Sequence, residues 1–408
     1  MASATSSSPF LLSRQPIFGH DGDVFGYELR YTTTLPDGGD RGAPPDGARV
    51  LTAAVASGGL EAIADGKPAL VRFTTEMLLG GCAFLLPPTA LVVELPASLR
   101  MGSAVVAACR DLCEKGYALG LERLDGDEGL ELLRPYLRFA RVDMRQPSSI
   151  AGAVLHGVRH RPLRLVAHRV DTAALKAEAH ALGCRLFQGK YFLDPTTVAA
   201  TSPAASRVVY LRLLAALNDA RLGHAALEDL IKADPVLVYQ ILRTVNSAAF
   251  PLQRRISSIR EALVLLGLDQ IRRWAMVWTL ASLAPRGRQE LLAVGLTRAR
   301  ACESLAADRD PQLSSGLFLA GLCSVLTTVL GCSPQQLVSQ LPLADAISRA
   351  LTGGDGVVGD ILSAVIAHEH GQWTEAVAAA GRAHVPPERV NDAYLEGVRW
   401  THQVRGLL

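Results

Sequence analysis

The sequence predicts an α/β half followed by an all-α half. Three observations predict this division. Short apolar runs of β character alternate with helical stretches through roughly the first half of the chain. Two prolines among small polar residues then break the pattern at 194–206, DPTTVAATSPAAS. Beyond that break the β-like runs stop, and helix follows helix. A length of 408 residues suits two or three domains.

The start, MASATSSSPF, is Ser-rich without a basic segment or a long apolar one, so residues 1–12 are expected to be a mobile tail rather than a signal peptide. The runs VFGYELRY, ALVRFT, TALVVEL, YALGLE, FARVDM, LRLVAHRV and RLFQGKYF follow as candidate strands. Between them, ARVLTAAVASGGLEAIA and TAALKAEAHALG keep apolar residues at three- and four-residue steps, as helices packed on a sheet do. Strand, helix, strand implies βαβ units and parallel pairing; by pattern alone, a closed barrel and an open sheet both fit. The first domain is placed at 13–195, a linker at 196–206 and the second domain at 207–408.

In the second half, ADPVLVYQILRTVNSAAF opens with Asp234 as N-cap and Pro235 at the first helical position, where a missing N–H costs nothing. In ISSIREALVLLGLDQIRRWAMVWTLASL, Ser258-x-x-Glu261 fits a capping box. Gly267 can take the left-handed conformation that ends a helix, and a further helix is expected from about Asp269.

Hydrophobic residues make up 49% and charged residues 20% of the chain, which excludes a disordered protein. A formal charge of +2 argues against a surface built throughout for phosphate backbones. No run approaches the roughly 18 apolar residues of a membrane span, so a cytoplasmic location without membrane contact is expected. Seven cysteines with no CxxC pair argue against a disulfide framework or a zinc site; reduced structural thiols are expected.

RQPIF, GYELRY, LVRFT, VVEL, GLERLDG, ARVDM, AHRVDT and GCRLFQGKYFLDP occur in the order of the EAL family, which the chain resembles over about residues 13–195. The resemblance implies a modified TIM-type (β/α) barrel of the kind found in bacterial cyclic-di-GMP phosphodiesterases. That chemistry uses two divalent cations held by carboxylates and an amide at strand ends. Position by position, much of the ligand set fails. Gln15 matches a substrate-contacting glutamine, and Glu28 the glutamate of the motif that names the family, with Leu-Arg after it instead of Ala-Leu. Arg72 stands for the metal-binding asparagine; Glu94 is kept, but Ala97 replaces a further glutamate. Glu122 and Arg123 replace paired aspartates, and Arg141 the catalytic lysine. Asp143 survives, His168 replaces a glutamate, and Gln188 is intact.

Arginine keeps its charge, so Arg123 is expected to put a fixed cation where a metal should sit. Catalysis is expected to be lost, with no metal and no cofactor. Glu28, Glu94 and Asp143 are expected to pair with the incoming arginines. The alternative is a cavity lined by Arg72, Arg123 and Arg141 that takes a nucleotide without metal.

The stretch LEDLIKADPVLVYQILRTVNSAAFPLQRRISSIREALVLLGLDQIRRWA (227–275) resembles the HDOD family, an all-helical signalling domain related to HD phosphohydrolases. Asp234, Pro235, Asn246, Ser247 and Gly267 carry the resemblance. His224, His368, His370, His384 and His402 lack a following aspartate, so no metal site is expected. Asn246 is expected to satisfy backbone groups at a helix end. Arg272-Arg273 after a Gly turn also suits a helix-turn-helix, but Ile271, Trp274, Ala275, Val277 and Trp278 around them suggest a buried helix, so nucleic acid is not expected.

The combined resemblance implies a bacterial signalling protein without catalysis, acting through other signalling proteins in control of motility, biofilm or cyclic-di-GMP output. The barrel is expected to dock partners or form a homodimer, and cyclic-di-GMP is not expected as its ligand. The competing expectation is a residual metal-dependent phosphodiesterase.

Overall fold

In the computed structural model, the described residues are 11–32, 59–97, 99–100, 102–123, 130–145, 163–193, 213–214, 216–217, 222–247, 255–283, 289–306, 311–341 and 343–406. The linker at 196–206 and most of the helical run after residue 48 lie outside them.

Eight strands close into a barrel in sequence order. They are β1 Leu11–Phe18, β2 Val24–Thr32, β3 Ala69–Arg72, β4 Leu91–Leu95, β5 Ala118–Leu121, β6 Leu137–Asp143, β7 Arg164–His168 and β8 Leu186–Phe187. Of the two architectures the residue pattern allowed, the closed barrel is observed. β1 runs antiparallel to both β2 and β8; every other neighbouring pair is parallel. Because β1 already contains Leu11 and Leu12, both buried, a tail reaching residue 12 is too long. β1 was missed as a strand because its Arg-Gln-Pro centre hides the alternation.

Each strand gives one side chain to the barrel floor. Ile17, Leu70, Val92, Phe139, Val166 and Leu186 pack as a buried cluster, with Phe25 and Ala118 against it. Side chains of a strand alternate between faces, so residues two further on point inward one layer higher. The eight-strand interior is thereby filled below and free to carry polar groups at the strand ends.

The chain forms two compact units. One comprises 1–197 with 364–395, the other 198–363 with 396–408. The C-terminal half therefore returns part of its length to the barrel unit, a division no composition shift marks. The barrel unit also holds helices α1 Ser103–Glu114 and α2 Ala173–Ala181. In the helical unit lie α3 His224–Lys232, α4 Pro235–Val245, α5 Ile259–Leu266, α6 Leu268–Leu283, α7 Gln289–Ser304 and α8 Pro311–Cys323. Asp234 caps α4, accepting from the N–H groups of Val236 (2.9 Å) and Leu237 (3.2 Å), with Pro235 at its first position. At α5, Ser258 accepts from the Glu261 N–H, but the Glu261 carboxylate takes the Ser257 N–H, so the box closes one residue earlier than predicted. Gly267 ends α5 at φ 84° and ψ 164°, an extended positive-φ conformation rather than the left-handed helical one expected.

Candidate functional site

Strand alternation builds the site. Two residues beyond the floor positions Leu70, Val92, Phe139, Val166 and Leu186 stand Arg72, Glu94, Arg141, His168 and Gln188, all at the C-terminal ends of parallel strands. In antiparallel β1, Gln15 precedes Ile17 by two and sits opposite Glu28 of β2. A register shift between Ile17 and Phe18 reconciles Glu28 with Phe25, which would otherwise have opposite parity. Gly189, directly after Gln188, lets the backbone pass Val170; a Cβ there would lie 2.1 Å from the Val170 carbonyl oxygen.

Arg141 occupies the centre of this layer, its side chain 6% exposed. Its Nη1 donates to Glu28 Oε1 at 2.9 Å and to Gln188 Oε1 at 3.3 Å, while its Nε is ion-paired with Glu94. Gln188 Nε2 donates to Glu28 Oε2 at 2.7 Å, and Arg30 Nε donates to the same oxygen at 3.1 Å. Arg30 Nη2 donates in turn to His168 Nε2 at 3.2 Å. A guanidinium only donates, so His168 accepts through Nε2.

Burial alone would raise the Glu28 pKa, but Arg141, Arg30 and the Gln188 amide bring it from 4.5 down to about 2. Glu94 behaves oppositely. Burial raises it to about 7, against the pull of Arg141 and with help from the Glu28 and Glu122 carboxylates. Burial and the Arg141 charge lower His168 to about 4, so it is neutral at physiological pH.

The two divalent cations implied by the EAL resemblance do not fit these residues. The carboxylates that would hold them are taken by guanidinium and amide groups. A +2 ion about 4 Å from Arg141 would meet repulsion of about 8 kcal/mol at an effective dielectric of about 20. Among the described residues, no group of three or more His, Cys, Asp or Glu side chains is arranged to hold a metal.

The geometry corrects the sequence reading of the arginines. Arg123 is exposed, so the fixed charge inside the barrel is Arg141 and not Arg123. Arg72 is also turned outward, 55% exposed and paired with Glu122 at 2.9 Å. Glu122 also accepts the Ala97 N–H. A cavity lined by Arg72, Arg123 and Arg141 together does not form. Asp143 pairs with Arg169, at 2.9 Å, rather than with any of the three. Arg30 and Arg169 were the missed partners. Arg30 was legible as the same-face neighbour two residues after Glu28; Arg169 had no comparable signal.

In the helical unit, the Asn246 amide donates to the carbonyls of Leu242 (2.7 Å) and Ile256 (2.8 Å), and its oxygen accepts the Ile256 N–H at 2.7 Å. Ser247 donates to the Thr244 carbonyl. Asn246 thus stitches the end of α4 to the approach to α5, while Ser247 closes the last turn of α4. Helix α6 is buried from Ile271 to Leu280 except for half-buried Arg273, and Arg272 donates to the Leu222 carbonyl. It has no exposed base-reading face. The sequence reading also missed an ionic chain in which Glu303 pairs with Arg273 and Arg300, and Arg300 pairs with Glu396.

Residues 204–340 match the HDOD domain family. The chain is 27% identical over 406 residues to the uncharacterized protein YuxH of Bacillus subtilis (strain 168), covering 96% of this chain and 98% of that one. It is 26% identical over 411 residues to the cyclic di-GMP phosphodiesterase CdgJ of Vibrio cholerae serotype O1, covering 97% and 93%. Among solved structures, the EAL enzyme Bd1971 in its cAMP- and cyclic-di-GMP-bound form aligns at TM-score 0.38 and 16% identity, over 44% of this chain and 60% of that one. No helix among the described residues is long and apolar enough to cross a membrane. A closed barrel that carries the positions of the EAL resemblance at its strand ends is thus followed by a helical half in which residues 204–340 match the HDOD domain family.

Proposed function

We propose that this chain is a non-catalytic signalling protein of cyclic-di-GMP-linked regulation, acting through contacts with other proteins. One observation carries the reading: the Arg141 guanidinium lies between Glu28 and Glu94, where phosphodiester hydrolysis by the EAL route needs metal-bound carboxylates. The arginine satisfies both carboxylates and supplies no water-activating Lewis acid. His168, neutral and accepting from Arg30, adds no anionic ligand.

A residual phosphodiesterase is the second reading, favoured by the name of the Vibrio cholerae relative. Turnover of cyclic-di-GMP with Mg²⁺ or Mn²⁺, by the full chain and by Glu28→Ala, separates the two. Equal background rates are expected. Metal-dependent hydrolysis that Glu28→Ala abolishes overturns the proposal. Calorimetric titration with cyclic-di-GMP, with and without Mg²⁺, reads binding without turnover; no heat is expected.

A further inference from the structure

We propose that the turn at residues 368–371 is a clasp that closes the barrel mouth beside the Glu28–Arg141 cluster and opens locally ahead of the barrel. Its basis is a defect in the barrel. β8 is two residues long and meets β1 at Phe18 and Phe187, so among the described residues the outer edge of β1 around Leu12 has no strand beside it. Unpaired backbone groups in a buried place need other partners.

The segment 364–395 supplies them. Helices α9 Val357–Glu369, α10 Trp373–Arg382 and α11 Pro387–Arg405 run through it. Asn391 Oδ1 accepts the Leu12 N–H at 2.8 Å, and His368 Nε2 donates to the Leu12 carbonyl at 3.0 Å. His368 is 1% exposed, between the rings of Trp373 and Tyr394, with centroids at 5.2 and 5.0 Å. The two side chains do for Leu12 what a neighbouring strand would do.

The turn that follows α9 then reaches the rim of the site. Gln15, opposite Glu28 in register, donates its amide to the His370 carbonyl at 3.1 Å. Gly371 has φ +67° and passes so close that a Cβ would lie 3.3 Å from Arg30 Cδ and 3.6 Å from Ser13 Oγ. Arg30 is the side chain that holds Glu28 and His168. At the centre of the same layer, Arg141 Nη2 is buried without a hydrogen-bond partner among the described residues. The clasp is held to β1 mainly by a few side-chain hydrogen bonds instead of a continuous ladder, a bond set that opens locally before the barrel does. The helices that deliver it, α9 and α11, have their other ends in the second unit, at 357–363 and 396–405.

Amide exchange by mass spectrometry on the full chain tests the clasp, with phenylglyoxal labelling of Arg30 as a second readout. Asn391→Leu removes the acceptor for Leu12. Gly371→Ala disturbs the turn while leaving both Leu12 bonds in place, in case the first variant fails to fold. In either variant, exchange at 11–18 and 366–373 is expected to rise together, on the order of tenfold, with β4–β6 unchanged and Arg30 labelled faster. A uniform rise across all strands, no rise, or faster exchange without faster Arg30 labelling overturns the clasp. Turnover does not enter these readouts. A chain that hydrolyses cyclic-di-GMP overturns the proposed function alone, and one without local opening overturns the clasp alone.

Discussion

Replacing Arg141 with methionine, of similar length but without charge, tests the central assignment. The wild-type side chain binds Glu28 at 2.9 Å, pairs with Glu94 and donates to Gln188, all with 6% of its surface exposed. Each ion pair at about 4 Å between charge centres is worth about 4 kcal/mol at an effective dielectric of about 20, before desolvation is subtracted. Removing one partner leaves two buried carboxylates with their main counter-charge gone, so Arg141→Met is expected to destabilise the barrel by about 3–5 kcal/mol at pH 7.5. The pH dependence has a definite sign. Glu28 has its pKa lowered from 4.5 to about 2, so its contribution is present above about pH 4.5 and is lost as pH falls through about 2. The variant forfeits most of that contribution, and its carboxyls can protonate at higher pH. The difference between the two proteins should therefore shrink between pH 7.5 and pH 4. Urea unfolding, followed by amide exchange in β2, β4 and β6, measures it. A loss below about 1 kcal/mol, or one constant across pH, would refute Arg141 as the counter-ion that replaces the metals.

Glu94→Gln probes the other carboxylate. Its folded pKa is raised to about 7, so its stabilisation is present below about pH 4.5 and lost as pH rises through 7; the variant should show a flatter stability profile between pH 5 and 7 in the same titration. Asn246→Ala removes three hydrogen bonds, two of them between the end of α4 and the approach to α5, and should cost about 2–3 kcal/mol in thermal unfolding of the helical unit. Asp234→Ala, which loses two bonds at the start of α4, should cost about 1 kcal/mol by the same measurement.

Much of the site was legible because strand chemistry is local. Once Leu70, Val92, Phe139, Val166 and Leu186 are floor residues, Arg72, Glu94, Arg141, His168 and Gln188 follow at two-residue spacing. Spacing places a residue on the inner face but does not say where a long side chain ends. Arg72, on the same inner-face spacing as Arg141, swings out to Glu122, and Arg123 lies in the open at the strand end, whereas Arg141 stays in. Reach and counter-charge decide that, and both are properties of neighbours on other strands.

By itself, the sequence determined the two-part organisation, the strand-end positions and the caps at Asp234 and Ser258, since each depends on periodicity or on residues within a few positions. Tertiary structure alone decided that 364–395 joins the barrel and that Asn391 and His368 serve Leu12, more than 350 residues away, at separations of 379 and 356. It also decided that Glu28, Arg30, Arg141, His168 and Gln188 form one cluster. The reason is physical. A buried edge or charge must find a partner, but which segment supplies it is set by closure of the barrel and the path of the returning helices, and no local pattern records either.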